Sequence, residues 1–195
     1  MVRRILAILT SLLLLSAAAL ADNPVVLEGV FTYGADFAIR YPIDWDIIPD
    51  ESGDTETDKN CGLLASPEDT GLNVEIYLSA LEGLEDYTLL DMDAASLSEL
   101  ADSLIENAAS LHYVYHDTIY TTANGVPFLV FDAADEYGPM FVAETILDGW
   151  MTTIIGYAYT DGTFTTCRKL TDDDYNLFTT MVESYALMSM EFSLF

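Results

Sequence analysis

The spacing of tight-turn signals constrains the fold of this chain most. In its second half, three dipeptides that favour tight turns stand between apolar, β-branched runs: Asn124-Gly125, Asp148-Gly149 and Asp161-Gly162. Such dipeptides tolerate the positive φ angles that two-residue hairpin loops require. Short runs joined in this way pair with their sequence neighbours as antiparallel strands. The pattern therefore predicts an antiparallel meander.

An opening strand is also visible in the sequence. Phe37, Ile39 and Tyr41 alternate with smaller or charged residues, which is the period of two of a half-buried strand. Pro42 cannot donate a ladder hydrogen bond, so the strand is expected to end there and the chain to turn. Trp45, which follows the turn, is expected to anchor the core because a strand aromatic buries a large area.

Two helices are predicted around the meander. Apolar residues recur at three- and four-residue steps from Leu97 to Leu111, so one helix face there is apolar. A second helix is predicted over 171–187, where Thr171 is a good N-cap and Asp174 completes a capping-box-like pair. Its buried stripe is expected to consist of Leu177, Phe178, Met181, Val182 and Tyr185.

A polar loop and two further strands complete the predicted order of elements. A polar stretch at 49–60 is typical of an exposed loop, and strands are expected at 61–66 and 72–81. The order is then strands, helix, four strands, helix. This order predicts the α+β class, with a mostly antiparallel β-sheet (a meander) covered by two main helices.

The first 21 residues have the pattern of a secretory signal. A basic start precedes 16 uncharged residues (5 to 20; 20 − 5 + 1), and Ala-Leu-Ala ends at Ala21. The apolar run is shorter than the roughly 20 residues that span a bilayer. We expect a signal peptide at 1–21, cleaved after Ala21, a single domain at 22–195 without a membrane span, and a secreted or extracytoplasmic location. Retention of the signal as an anchor is the alternative.

The chain is strongly acidic. It has 33 acidic and six basic residues, a formal net charge of −27, and only four of the basic residues follow residue 21, which leaves −29 (4 − 33). Such a surface repels nucleic acid and anionic lipid, so no nucleic-acid partner is expected. Weak cation binding and a protein or peptide partner are compatible with it. Because 51% of the residues are hydrophobic, the chain is not a disordered acidic tail.

Cys61 and Cys167 are the candidate disulfide. Export permits a bridge, and two cysteines allow one pairing only. In the chain-entropy model a bridge that closes a loop of about 100 residues stabilises the fold by about 4.7 kcal/mol. The alternative is two free thiols that pack as small hydrophobic side chains.

No catalytic, cofactor or metal residue is expected. The sequence has no G-x-S-x-G, H-E-x-x-H, P-loop or G-x-G-x-x-G motif. His112 and His116 are the only histidines, and on a strand they lie roughly 13 Å apart, too far for one zinc ion. Residues 54–60 offer alternating oxygen ligands but lack the glycine and the final acid of an EF-hand, which leaves weak calcium binding as an option.

Tyrosine is abundant, with twelve residues. Tyr113 and Tyr115 share one face of their predicted strand, and Tyr157 and Tyr159 share one face of theirs. Tyrosine is enriched at binding surfaces. It also packs in cores with its hydroxyl at the edge. The sequence leaves both interpretations open.

The stretch from Tyr41 to Trp45, Tyr-Pro-Ile-Asp-Trp, resembles the Tyr-Pro-x-x-Trp pattern of the PsbP-like (Mog/PsbP-like) family, exported bacterial type. Residues 124–136 resemble its turn into a long strand, and 172–187 resemble its terminal helix, so the resemblance covers about 31–187. It implies a PsbP-like α/β/α sandwich and a non-catalytic binding or accessory role, with no ligand specified. The alternative function is a small secreted hydrolase whose site is assembled from scattered residues.

Overall fold

The computed structural model describes residues 25–34, 36–49, 54–100, 114–115, 120–122, 124–134 and 136–188. Helix α1 covers 94–100 and helix α2 covers Asp172–Glu183, with a short 3₁₀ helix at Leu89–Asp91. The strands, in chain order, are β1 (Gly29–Tyr33), β2 (Phe37–Tyr41), β3 (Asp46–Ile48), β4 (Asp58–Ala65), β5 (Leu72–Ala80), β6 (Val114–Tyr115), β7 (Tyr120–Thr121), β8 (Pro127–Ala134), β9 (Pro139–Leu147), β10 (Trp150–Ala158) and β11 (Ala186–Leu187).

The strands form two sheets, and every described strand pair is antiparallel. The larger sheet has the order β3-β4-β5-β10-β9-β8-β6, with β7 also paired to β8. The smaller sheet has the order β1-β2-β11. Since β8, β9 and β10 are neighbours in both sequence and space, the predicted meander is confirmed. The predicted α+β class is confirmed with it.

The turn dipeptides act as predicted at two of the three sites. Leu147 pairs with Trp150, and the two residues between them, Asp148 and Gly149, have φ angles of 48° and 76°. Both are positive, as a tight two-residue hairpin requires. Gly125, with φ of 82°, donates its N–H to the Thr122 carbonyl (2.8 Å) in the turn before β8. The third dipeptide, at 161–162, lies instead in a loop that an isolated bridge between residues 159 and 167 closes.

The opening strand also has the predicted form. Phe37, Ile39 and Tyr41 of β2 are buried, whereas Arg40 is exposed. The chain turns directly after β2, where the Trp45 N–H donates to the carbonyl of Pro42 (3.1 Å). Trp45 is only 8% exposed and belongs to the main core, so its predicted role as an anchor is confirmed.

Helix α2 begins as predicted and ends earlier. The Thr171 hydroxyl accepts from the Asp174 N–H (3.2 Å), and the Asp174 carboxylate accepts from the Thr171 N–H (2.7 Å), which is a capping box. The helix was expected to run to Leu187 but ends at Glu183. The Ser184 hydroxyl donates to the carbonyl of Met181 and accepts the N–H of Arg40 on β2. This bond ties the helix end to β2, and the next residues join that strand as β11.

In the main core, α2 and the smaller sheet pack against one face of the larger sheet. Phe178, Met181 and Val182 are fully buried on α2, and Tyr185 just after it stacks on Phe37 (5.2 Å between ring centroids). Leu177 is only half-buried at the edge of this stripe. The helix approaches the sheet closely at Gly156, where an added Cβ would lie 2.6 Å from the Phe178 ring. We name this side of the sheet the helix face.

Other expectations lie partly or wholly outside the described residues. The predicted helix from Leu97 to Leu111 is described as helical from 94 to 100, and its remainder, with His112 and His116, falls outside. So do the predicted signal peptide at 1–21 and part of the loop at 49–60. Strand β4 begins at Asp58, three residues before the predicted start, because Asp58 pairs with Ser79 of β5. None of the helices in the described ranges is both apolar enough and long enough to cross a bilayer.

Candidate functional site: a tyrosine cleft around Glu75

The candidate site lies on the side of the larger sheet opposite α2. Along β5, Val74 and Ile76 face the core, so Glu75 and Tyr77 point to the other side. Register places Glu75 beside Ile155 of β10, and Tyr157 follows on the same side. With residues from β9 and the loop after β10, these side chains line a cleft of about 420 Å³. We name it the tyrosine cleft; its lining consists of Glu75, Tyr77, Tyr137, Met140, Ile155, Tyr157, Tyr159, Phe164 and Cys167.

The Glu75 carboxylate is held by two phenols. The Tyr157 hydroxyl donates to Oε1 of Glu75 (2.6 Å), and the Tyr77 hydroxyl donates to Oε2. Burial, and after it the hydrogen bond to Glu75, raises the pKa of Tyr157 above its ordinary value. The Tyr157 phenol therefore keeps its proton at neutral pH. A negative charge is thus fixed by two charge-assisted hydrogen bonds in a wall of aromatic rings.

Three of the rings form a continuous row. Tyr157 and Tyr159 lie 5.3 Å apart between centroids at 75°, and Tyr159 and Phe164 lie 5.1 Å apart at 79°. The first and last rings therefore both stand nearly perpendicular to the middle one. Two aromatic side chains of the cleft are widely exposed, Phe164 at 59% and Tyr137 at 56%. The cleft thus presents aromatic surface to solvent around a fixed carboxylate.

The loop after β10 holds Phe164 over the cleft. Thr160 donates its N–H to the carbonyl of Thr166 (2.8 Å), and the carboxylate of Asp161 accepts from both the N–H and the hydroxyl of Thr163 (2.8 and 2.5 Å). These bonds from Thr163 lower the pKa of Asp161. Phe164 has a φ of 56°, which costs a non-glycine residue roughly 1–3 kcal/mol and tends to occur at functional sites. The ring is thus kept exposed against a local conformational preference.

The two cysteines lie on opposite faces of the sheet. Cys61 sits in a β-bulge of β4 and is buried in the main core, where burial raises the pKa of its thiol to about 12. Cys167 pairs with Tyr159 and lines the tyrosine cleft. The sheet separates the two side chains, so the structure has no disulfide between them. Both thiols are free in this arrangement.

The acidic loop at 54–60 uses its oxygens internally. The Asp54 carboxylate accepts from the N–H of Asn60 (2.8 Å), and that of Asp58 accepts from the Thr57 hydroxyl (3.0 Å). The Lys59 ammonium donates to the carbonyl of Thr55. Across the described ranges, no group of three or more His, Cys, Asp or Glu side chains is arranged to hold a metal ion.

Sequence reasoning found only part of this site. Tyr157 and Tyr159 were recognised as sharing a strand face, which the structure confirms, whereas Tyr113 lies outside the described residues. Glu75, Tyr77 and Phe164 were missed. A usable signal was present at Glu75, a single acid inside the apolar run of β5 on the side that alternation points away from the core.

Comparison with solved structures gives a likeness of fold, whereas comparison with family models and curated sequences gives none. No family model matches the chain, and no curated protein matches its sequence. The fold is similar to the solution structure of cyanobacterial PsbP (CyanoP) from Synechocystis sp. PCC 6803, at 13% identity and a TM-score of 0.46, covering 86% of this chain and 97% of that one. A likeness of this size identifies neither a function nor a site residue.

Proposed function

We propose that this protein is an exported, non-catalytic binding protein and that the tyrosine cleft is its ligand site. The observation that carries the proposal is the Glu75 carboxylate, fixed by Tyr77 and Tyr157 inside a cleft whose rim exposes Tyr137 and Phe164. Ligand sites are typically concave and mostly apolar, with a few polar groups that orient the ligand. The cleft has this composition.

The state of Glu75 favours binding over hydrolysis. A general base in a hydrolase must reach the proton of a nucleophile or a water molecule. Both oxygens of Glu75 instead accept phenol hydrogen bonds, which hold the carboxylate as a fixed charge. The raised pKa of Tyr157 keeps this phenol a donor, so it is not an anionic nucleophile at neutral pH. These groups orient a ligand and do not activate one.

The proposal includes the location and the domain organisation. The pattern at 1–21 supports export and cleavage after Ala21, and the remaining residues 22–195 then form one domain. The acidic surface supports a protein or peptide partner as a source of the ligand. Intact-mass measurement of the protein recovered outside the cytoplasm tests the cleavage, and recovery of all 195 residues there would contradict it.

Ligand screening by nuclear magnetic resonance tests the binding site. A panel of sugars, organic acids, organic cations and short peptides would be added to the purified, isotopically labelled protein. We expect chemical-shift changes confined to Glu75, Tyr137 and 157–167. The variant Phe164→Ala should reduce them, whereas Ile43→Ala, which truncates an exposed side chain in the turn after β2 and away from the cleft lining, should leave them in place. A panel that shifts no cleft resonance would contradict the proposal.

A further inference from the structure

We infer that the tyrosine cleft binds a quaternary ammonium group. The inference rests on the proposed binding function and names the ligand class. It follows from three features of the cleft, which are its charge, the arrangement of its rings and the hydrogen bonds that its polar groups already make.

The charge of the cleft selects a cation. Glu75 is the acidic side chain of the lining, and no lysine or arginine is among the described residues that line it. The nearby Arg168 binds both oxygens of Asp174 (2.7 and 3.0 Å) and donates its Nε–H to the carbonyl of Thr70 (3.0 Å). An anionic ligand would therefore meet a carboxylate and no counter-charge. The net charge of −27 adds a long-range attraction for cations.

The rings supply a second attraction for a cation. Aromatic faces are electron-rich and attract a cation within about 6 Å of the ring centroid. The row of Tyr157, Tyr159 and Phe164 presents rings at near right angles, with neighbouring centroids 5.3 and 5.1 Å apart. A rounded cation of small diameter can contact two such rings at once. The exposed Phe164 ring is at the end of the row that is open to solvent.

The existing hydrogen bonds favour a cation without N–H groups. A primary ammonium or a guanidinium brings several donors, and each must find an acceptor when it leaves water. In the tyrosine cleft each Glu75 oxygen already accepts one phenol hydrogen bond, which leaves fewer acceptor sites for ammonium N–H groups. Much of the remaining lining, including Met140 and Ile155, is apolar. A quaternary ammonium has no N–H donor to satisfy. Its methyl groups contact ring faces while its charge remains near the Glu75 carboxylate.

The test compares choline with its neutral isostere, 3,3-dimethyl-1-butanol, at physiological salt. The two molecules have nearly the same shape and differ in the charge of one atom. Calorimetry and chemical-shift titration of the purified protein would give both affinities. We expect choline to bind at the cleft about tenfold or more tightly than the isostere, as a cation–π site with a fixed carboxylate requires.

Variants separate the charge from the rings. Glu75→Gln should weaken choline binding about tenfold and leave the isostere unchanged, on the scale of one lost ionic contact. Glu82→Gln is the matched control, because it removes the same charge from an exposed turn beyond the end of β5. Phe164→Leu keeps an apolar side chain and removes the π face, so it should weaken choline selectively. Phe164→Trp should keep choline binding, since tryptophan is the best cation–π partner.

Each outcome separates this inference from the proposed function. Equal binding of choline and the isostere would overturn the ammonium inference while the cleft remained a binding site. The same holds if another member of the panel shifts the cleft resonances and choline does not. An equal loss in Glu75→Gln and Glu82→Gln would also overturn it, because the effect would then be one of net charge. If no ligand of any class shifts the cleft, both proposals fail.

Discussion

The two faces of the larger sheet are built from the same strands and differ in what their side chains do. On the helix face, Val74, Ile76 and Ile154 are fully buried. On the other face, their neighbours Glu75 and Tyr157 are half-buried and bond to each other in an open cleft. Because successive residues of a strand point to opposite faces, one stretch of sequence serves both purposes. Stability is therefore expected to depend mainly on the helix face and binding on the cleft face.

The helix face is also where both ends of α2 are tied to the rest of the fold. Arg168 joins the Asp174 carboxylate at the start of α2 to the loop at residue 70, and Ser184 joins the end of α2 to β2. On the cleft face, the loop after β10 is held mainly by its own hydrogen bonds. This difference predicts that disruption of α2 affects the whole fold. Changes in the loop after β10 should alter binding first.

The largest expected effect is the loss of the α2 anchor. Phe178→Ala should lower the free energy of unfolding by about 3–5 kcal/mol, because the ring is fully buried against Gly156 and Phe141. Tyr159→Ala, which removes a half-buried ring from the cleft face, should cost roughly half of that or less. Denaturant unfolding of both variants checks the comparison. Equal costs would show that the two faces do not divide stability and binding.

The second effect is the pH dependence of the α2 start. Burial raises the pKa of Asp174, but the hydrogen bonds from Arg168 and Thr171 outweigh it, so the pKa in the folded state lies below its usual value. A lowered folded-state pKa stabilises the protein above the unfolded pKa of about 3.9, and this contribution is lost as the pH falls through the folded value. Asp174→Asn should therefore cost about 2 kcal/mol at neutral pH. The difference in unfolding free energy between Asp174→Asn and the unaltered protein should shrink below about pH 4.

The matched control for that titration is Asp172→Asn. Asp172 lies in the same first turn but is exposed, so its replacement should lower the free energy of unfolding only slightly. Unfolding curves from pH 7 to the acid limit of reversible folding give the three profiles. A deficit of Asp174→Asn that stays constant through this range would contradict the role assigned to its carboxylate.

A smaller effect, of opposite sign, is expected inside the helix face. Thr145 is fully buried, and its hydroxyl has no hydrogen-bond partner within the described part of the chain. Its neighbour across the strands is Thr152, whose hydroxyl is 3.3 Å from that of Tyr185. Thr145→Val should stabilise the protein by about 1 kcal/mol, since an unsatisfied buried polar group costs on that order. Thr152→Val should destabilise it, and the same sign for both variants would contradict this account.

The features that the sequence predicted depend on residues close together in the chain, whereas those that it missed depend on contacts between distant residues. The hairpin at Asp148-Gly149 and the capping box of Thr171 depend on residues within a few positions, and both were predicted. The end of α2 was missed because Ser184 is fixed by Arg40, 144 positions away. The bond between Glu75 and Tyr157 was missed for the same reason, since these residues, 82 positions apart, meet only after their strands have paired. Local sequence patterns predict individual helices and strands, whereas this site forms only when particular strands pair with each other.

The smallest expected effect is that of a reducing agent on the melting temperature. This measurement tests directly whether the two cysteines lie on opposite faces of the sheet. A bridge between Cys61 and Cys167 would link the faces and stabilise the fold by about 4.7 kcal/mol in the chain-entropy model. In the structure Cys61 packs in the core and Cys167 lines the cleft, so reduction should leave the melting temperature unchanged. The raised thiol pKa and burial of Cys61 predict slow alkylation in the folded protein, because the thiolate is the reactive form. Mass spectrometry after alkylation with and without denaturant should show Cys61 modified only on unfolding. A protein that is two hydrogen atoms lighter than the dithiol form and melts at a lower temperature after reduction would contain the bridge. That result would contradict the placement of the two cysteines on opposite faces of the sheet.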